Sequence, residues 1–285
     1  MSAEKTTQRK SIFDDLDVIP GFLSGSSLKL IAVVTMTIDH FAAGVIYAML
    51  VMHALPGDMT FDELYRIYQI LRGIGRTAFP IYCFLLVEGL LYTRSRIRYL
   101  RNLILFALLS ELPFDLALPE NLSDMMSTDI PAVLYESRFY LMEHQNVFCT
   151  LAIGLAACWA IDAIRQRLGM RFVTAFSAVL IGIAACLFAN LLHTDYHAVG
   201  VLMILAFYIL HPLRIGAAAL GYTALTTGLV MEEWSFPGFF AMLFYNGKRG
   251  FLGRSAAAKY FFYIYYPAHL MLFFFLRVAV LNRFF

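Results

Sequence analysis

The sequence predicts an all-α fold, a polytopic transmembrane helical bundle of about nine spans with its N-terminus in the cytoplasm. The chain is 60% hydrophobic and 15% charged, and its mean hydropathy is +0.70. Successive apolar segments are separated by short polar turns, with no long linker and no short-period repeat. Such a composition excludes the soluble class. The 285 residues divide into a polar cytoplasmic N-terminal segment, 1–27, and a single membrane domain, 28–285.

The spans, in order, are 28–52, 70–91, 99–117, 147–164, 173–192, 198–210, 213–230, 234–245 and 258–280. The first runs from Leu28 to Met52; the polar, mixed-charge residues 1–27 before it and the lack of a small-x-small exit signal with a polar region after it lead to the expectation of a retained signal-anchor rather than a cleaved leader. The second carries Arg72-Gly-Ile-Gly-Arg76-Thr-Ala-Phe-Pro80, where Gly73, Gly75 and Ala78 permit close backbone approach. Pro80 removes a hydrogen bond to the Arg76 carbonyl, so a kink is expected there. The third ends Ser110-Glu111-Leu-Pro113-Phe-Asp115, and the fourth opens at His144-Gln145-Asn146 with Asn146 as its N-cap. The sixth and eighth are short, bounded by His211-Pro212 and by Pro237 and Gly247. Half-spans or re-entrant segments are tolerated where protein or a wet cavity covers their backbone, so the count ranges from eight to ten. The ninth contains Tyr263, Tyr265, Tyr266, Pro267 and His269.

Orientation follows from basic residues, which concentrate in cytoplasmic loops. Lys5, Arg9, Lys10 and Lys29, then Arg94, Arg96, Arg98 and Arg101, then Arg165, Arg167 and Arg171, then Arg214, then Lys248, Arg249, Arg254 and Lys259 fall on one side. The loop 118–146 holds Glu120, Asp124, Asp129, Glu136 and Glu143 against Arg138, and is placed outside the cell. The net charge of +2 gives no sign of a nucleic-acid partner. Cys83, Cys149, Cys158 and Cys186 fall within spans without CxxC or zinc spacing, so no disulfide and no metal are expected.

Function is carried by ionisable residues that lipid should exclude. Asp39 and His40 are adjacent in the first span, and at 1.5 Å per residue His40 lies roughly 16 Å in from Lys29, near the midplane of a core about 30 Å thick. Arg72 and Arg76 share one helix face, as do Glu111 and Asp115, and the two pairs could form an ion-pair network that is structural rather than catalytic. The arginines could instead snorkel to the interface. His144, Gln145 and Asn146 lie at the same level, whereas Asp195 and His197 read as a solvated turn. Glu88 lies nearer the cytoplasm, before the alternating Arg94, Arg96 and Arg98, which can bind phosphate as well as mark topology.

The runs LKLIAVVTMTIDH (28–40), RGIGRTAFPIYCFLLVEG (72–89), ELPFD (111–115), HQNVFCTLAIG (144–154) and YYPAHL (265–270) resemble the TraX family. Those membrane proteins are associated with N-terminal acetylation of conjugative pilin, and the likeness covers most of the chain from Leu28 to Leu272. The resemblance implies roles for Asp39 and His40, Arg76, Glu111 and Asp115, and Gln145 and Asn146. By fold-level analogy the family is similar to multi-span acyltransferases that use cytoplasmic acyl-CoA at the far membrane face.

Acyl transfer needs a base, oxyanion donors and a meeting place for two substrates. His40 is expected as the base, with Asp39 paired to Arg76 or another span's donor, because neighbouring helical side chains point about 100° apart. Asn146, Gln145 or Arg76 would serve the oxyanion. Arg72, Glu111, Asp115, His144, Gln145, Glu88, His269 and Tyr266 would line the acceptor path. Arg94, Arg96, Arg98, Lys248 and Arg249 would hold the acetyl-CoA phosphates. The acceptor would be a pilin-like peptide amine or a surface glycan hydroxyl, and the location a multi-pass cell membrane. Two alternatives need no acyl chemistry: a proton-coupled transporter using the same charges as a relay, and an assembly factor that holds a membrane partner.

Overall fold

The computed structural model describes residues 20–118, 131, 135, 144–169, 172–254 and 256–284. Most of the N-terminal segment, including Lys5, Arg9 and Lys10, therefore lies outside the described residues, as do Arg171 and the acidic positions of the long loop. Among the described residues every regular element is helical. Helix α1, Gly25–Phe41, continues through a π-helical turn, Ala42–Ile46, into α2, Tyr47–Val51. Then come α3, Phe61–Gly75, α4, Ala78–Tyr92, and α5, Arg96–Ala117. After the long loop follow α6, Val147–Leu168, α7, Phe172–Leu191, α8, His197–Ile209, α9, Arg214–Gly228, α10, Phe236–Leu243, and α11, Ala256–Leu281.

Local chemistry sets the helix ends. Ser24 caps α1 by accepting from the Ser27 N–H, and Ser95 caps α5 by accepting from that of Arg98. Thr60 and Glu63 form a reciprocal capping box that starts α3 well before the expected boundary at residue 70. The predicted kink at Pro80 is a break four residues earlier. Helix α3 ends at Gly75 and α4 begins at Ala78, so Pro80 sits in a first turn, where its missing N–H deprives no carbonyl. A Cβ on Gly73 would meet the Trp234 ring at 2.8 Å, and one on Gly75 would overlap the Asp39 carboxylate.

Among the described residues, five stretches are long and apolar enough to cross a membrane: Gly25–Val51, Phe61–Tyr92, Val147–Leu168, Phe172–Leu191 and Tyr260–Leu281. Helix α5 has 22 residues, about 33 Å, but is more polar. The segment drawn as an eighth span, 234–245, is the eight-residue α10 preceded by a 3₁₀ turn, Glu232–Ser235. At about 12 Å it is too short to cross. Helix α8, with 13 residues, packs against α4, α6, α7 and α9. Its Val201, Met203 and Ile204 are fully buried. A short apolar helix is thus enclosed by protein, as the half-span reading requires.

Helix α7 is the opposite case. Thr174, Gly182 and Ala189 are its buried residues, while Phe172 is 84% and Leu187 64% exposed. An apolar helix with one narrow packed stripe has to turn the rest of its surface to lipid. All four cysteines are free. Ile183, exposed near the middle of α7, is expected to tolerate Leu and to resist Lys. The Ile183→Lys change should raise the insertion free energy of the α7 segment by about 3–4 kcal/mol, read by glycosylation mapping in microsomes.

Candidate functional site

Asp39 and His40 leave α1 in different directions. The Asp39 carboxylate accepts from Arg72 Nη1 at 2.5 Å and from Arg76 Nη2 at 2.9 Å. Arg76 also donates through Nη1 to Glu232 Oε1 at 3.1 Å. Two carboxylates and two guanidiniums thus form one network with no net charge. Three of its members descend from sequence spacing: Arg72 in the last turn of α3 and Arg76 at its C-cap lie one turn apart, and Gly75 between them admits the Asp39 carboxylate. Glu232 comes from the 3₁₀ turn before α10 and is 1% exposed.

His40 faces α11. Its Nδ1 is 2.7 Å from His269 Nε2, and His269 Nδ1 is 2.8 Å from the Tyr265 carbonyl. A carbonyl only accepts, so His269 Nδ1 carries the proton, and in a neutral ring its Nε2 must accept. The proton between the rings therefore belongs to His40 Nδ1, which leaves His40 Nε2 as a lone-pair acceptor. Thr37 Oγ1 and the Tyr265 hydroxyl, 2.7 Å apart, tie α1 to α11 one turn away. A π-helical turn begins two residues after His40, and such turns recur at functional sites.

Members of both sets, Asp39, Arg72 and Arg76 from the first and His40 from the second, border one cavity of about 300 Å³. Its wall includes Asp39, His40, Tyr68, Arg72, Arg76, Tyr82, His144, Asp195, Tyr196 and Tyr266. Asp195 and Tyr196 come from the turn between α7 and α8, which was expected to be a solvated turn. Three non-glycine residues there have positive φ, His193 at 47°, Tyr196 at 64° and His197 at 44°, a conformation that costs of order 1–3 kcal/mol each. Backbone pairing holds it: Gln145 N–H donates to the His193 carbonyl at 3.0 Å and Asp195 N–H to that of Gln145 at 2.7 Å. Thr150 Oγ1 donates to the Asp195 carbonyl, and the Tyr196 ring stacks on Phe79, centroids 3.5 Å apart. Burial raises the carboxyls of Asp195 and Glu232, against the opposing influence of His144 and Arg76 on the first and of Arg76 on the second.

The remaining expected residues separate. Glu111 does not pair with Arg72 or Arg76. Its Oε2 accepts from Asn146 Nδ2, whose other bond goes to the Ala107 carbonyl at 2.8 Å. Asn146 Oδ1 accepts from Phe148 N–H at 3.0 Å, so this side chain caps α6 with both its donor hydrogens committed and has none left for an oxyanion. Asp115 lies in the last turn of α5 and is not part of the cavity wall. Gln145 contributes its backbone to the strained turn. Tyr266 lines the cavity, and His269 stands behind His40.

At the other end of α4, Glu88 pairs with His211 Nε2 at 2.6 Å, away from the cavity. Arg96 is held by Asp162 at 2.6 Å, together with Arg165 at 2.6 Å and the Tyr208 hydroxyl at 3.0 Å. Arg249 donates to the Tyr92 carbonyl at 2.9 Å. Arg94, Arg98 and Lys248 are exposed. None of these five basic residues belongs to the cavity wall. Sequence reading passed over Glu232, Asp162 and Arg277. Arg277, 1% exposed, donates to the Leu116 and Ala117 carbonyls at the end of α5. The signal that exposed Asp39, one charge in an apolar run, would have found it.

The sequence model described as TraX protein matches residues 24–277. A relative from Dichelobacter nodosus, named "Probable fimbrial assembly protein FimC, serogroup H1", is 27% identical over 267 residues, covering 87% of this chain and 93% of that protein. No solved structure matches the chain significantly.

The Asp39 network and the His40 pair should respond differently to truncation. Asp39→Ala strands two partly buried cations and should destabilise the folded protein by about 3–5 kcal/mol, seen as a lower midpoint in detergent-solubilised thermal unfolding. His40→Ala, which strands no charge, should shift the same midpoint much less.

Proposed function

The chain belongs to the TraX family, and from that premise we propose that it is a membrane acyltransferase in which His40 Nε2 removes the proton of an attacking acceptor. The donor in this reading is acetyl-CoA or another acyl-CoA, and the acceptor is an amine or hydroxyl on the outer side of a cell membrane. The observation that carries it is the Tyr265 carbonyl–His269–His40 chain. It fixes the tautomer and leaves one basic nitrogen on a ring that borders a cavity. The fimbrial name of the relative supports a pilus-type peptide as acceptor.

The acceptor nitrogen or oxygen attacks the thioester carbonyl while its proton passes to His40 Nε2. The resulting imidazolium can share its charge with His269 through the bond at Nδ1. When the tetrahedral intermediate collapses, the C–S bond breaks and the thiolate takes the proton from Nε2, leaving CoA thiol and the acylated product. The oxyanion falls to Arg72 rather than to Asn146. The Arg72 side chain is the more open of the two guanidiniums, 23% exposed against 14% for Arg76, and charge-assisted donors of this kind stabilise developing negative charge. Asp39 holds the guanidinium in place and takes no proton.

The topology of the reading, N-terminus inside and donor from the cytoplasm, leaves Arg94, Arg98 and Lys248 as exposed cations for the phosphates. The cavity does not reach them, so the reading requires helices to part around the pantetheine arm. A non-catalytic assembly factor is the second reading, favoured by the relative's name.

Radiolabelled acetyl-CoA and a peptide acceptor, supplied to full-length protein in nanodiscs, separate the two. His40→Ala should lower transfer by about 10²–10⁴-fold, the usual worth of a general base, with the thermal midpoint retained. Undiminished transfer by His40→Ala would remove His40 from the chemistry, and a wild type that transfers no acyl group yet supports normal pilus assembly would favour the second reading. His269→Gln, which keeps an acceptor for His40 Nδ1, should lose less activity than His269→Phe.

A further inference from the structure

Asp195 is the carboxylate of the cavity wall that neither the mechanism above nor the ion network uses. Its backbone N–H donates to Gln145 and its carbonyl accepts from Thr150, so the turn holds the residue by its main chain. Its carboxylate accepts no hydrogen bond among the described residues, although it borders the cavity. The two guanidiniums of the wall already have carboxylate partners. Arg72 and Arg76 are matched by Asp39 and Glu232, which leaves Asp195 outside that network, with His144 as the basic side chain that acts on it most strongly. The strain in residues 193–197 is borne by the segment that delivers this side chain.

Building on the acyl-transfer reading, we propose that Asp195 is a second base of the site, taking from a protonated primary amine the proton that a hydroxyl acceptor does not have. An amine at neutral pH arrives as R–NH₃⁺ and must lose two protons to become an amide, whereas an alcohol loses one. The cavity presents two proton acceptors. The ammonium binds Asp195 and transfers one proton to its carboxylate, giving R–NH₂ and a carboxylic acid. The amine lone pair then attacks the thioester, the second proton passes to His40 Nε2, the C–S bond breaks, and the thiolate leaves as the thiol with that proton. Asp195 returns its proton to water once the neutral amide departs. No oxidant or further co-reactant is needed. Burial, which lifts the Asp195 carboxyl, suits it to hold a proton during the cycle. The groups that face it are His144 at the start of α6, Arg72 and Arg76 on α3, Asp39 and His40 on α1, Tyr266 on α11, and Tyr196 and Glu232 beside it.

The test uses two isosteric probes, alanyl-alanine amide and lactyl-alanine amide, with acetyl-CoA and the full-length protein in nanodiscs. Wild type should acetylate the amine at least tenfold faster than the hydroxyl at pH 7. For Asp195→Asn, the amine kcat/KM should fall about 100-fold at pH 6 and about tenfold at pH 7. The deficit should close above pH 8, because an α-amine with a pKa near 7.7–8.0 then deprotonates unaided. Hydroxyl transfer should follow the wild-type profile within about threefold, and Asp195→Glu should restore part of the amine preference. Parallel pH profiles for wild type and Asp195→Asn, or an equal loss on both probes, would overturn the proposal. A wild type that acetylates neither probe refutes the acyltransferase reading, a separate result. Binding then decides on Asp195: by saturation-transfer NMR the amine probe should bind at least tenfold more tightly than the hydroxyl probe, and Asp195→Asn should abolish the difference. Equal binding of the two probes by wild type refutes the role of Asp195 even if the variant does not fold.

Discussion

One carboxylate shared by two guanidiniums sets the centre of this molecule. Asp39 cannot leave the apolar middle of α1, and in a low dielectric an isolated charge there would be several kcal/mol unfavourable. Arg72 and Arg76, a single turn apart, close on it from α3, and Glu232 balances the second cation. Much of the neighbouring geometry serves that closure. Gly75 makes room for the carboxylate and Gly73 for Trp234. The chain breaks immediately after Arg76, and α10 packs against α4 beside that break. Because two donors one turn apart engage one acceptor, α1 and α3 have one register in which both bonds form.

The division between scaffold and reactive group follows from helix geometry. Consecutive side chains diverge by about 100°, so Asp39 points to α3 and His40 to α11. The two residues that look like a dyad in the sequence therefore belong to separate hydrogen-bond systems. His40 acquires its partner from a histidine 229 positions away, and that partner is itself fixed by a carbonyl of its own helix. Each system fixes a different property: the ion network fixes position, and the histidine chain fixes which nitrogen is basic.

Much of this was legible because lipid excludes charge. A polar residue in an apolar run announces itself, so Asp39, His40, Arg72, Arg76, Glu111 and His269 were visible without a structure. Pairing was not. Glu111 and Asp115 match Arg72 and Arg76 in spacing and expected depth, yet Glu111 turns to Asn146 and the arginines to Asp39 and Glu232, a choice made by packing that no local pattern encodes. Asp195 was misread because His-Thr-Asp-Tyr-His has the composition of a solvated turn; only the pairing of residues 193–195 with Gln145 draws it inward. Short helices were counted as spans because hydropathy registers apolar character and not length: α8 is apolar because most of its surface packs against protein, and α10 buries Gly238, Phe239 and Met242 while leaving Phe236 and Phe240 exposed.

The ion network also orders the birth of the protein. Asp39 and Arg72 are 33 residues apart, whereas Glu232 follows Arg76 by 156. At about 5–20 residues per second, the second counter-charge emerges from the ribosome roughly 8–30 s after the arginine it balances. During that interval one carboxylate must shelter two cations at the membrane, so the first helices have to leave the translocon as a joined hairpin, held beside water or the insertion machinery until the C-terminal third arrives to release them into lipid.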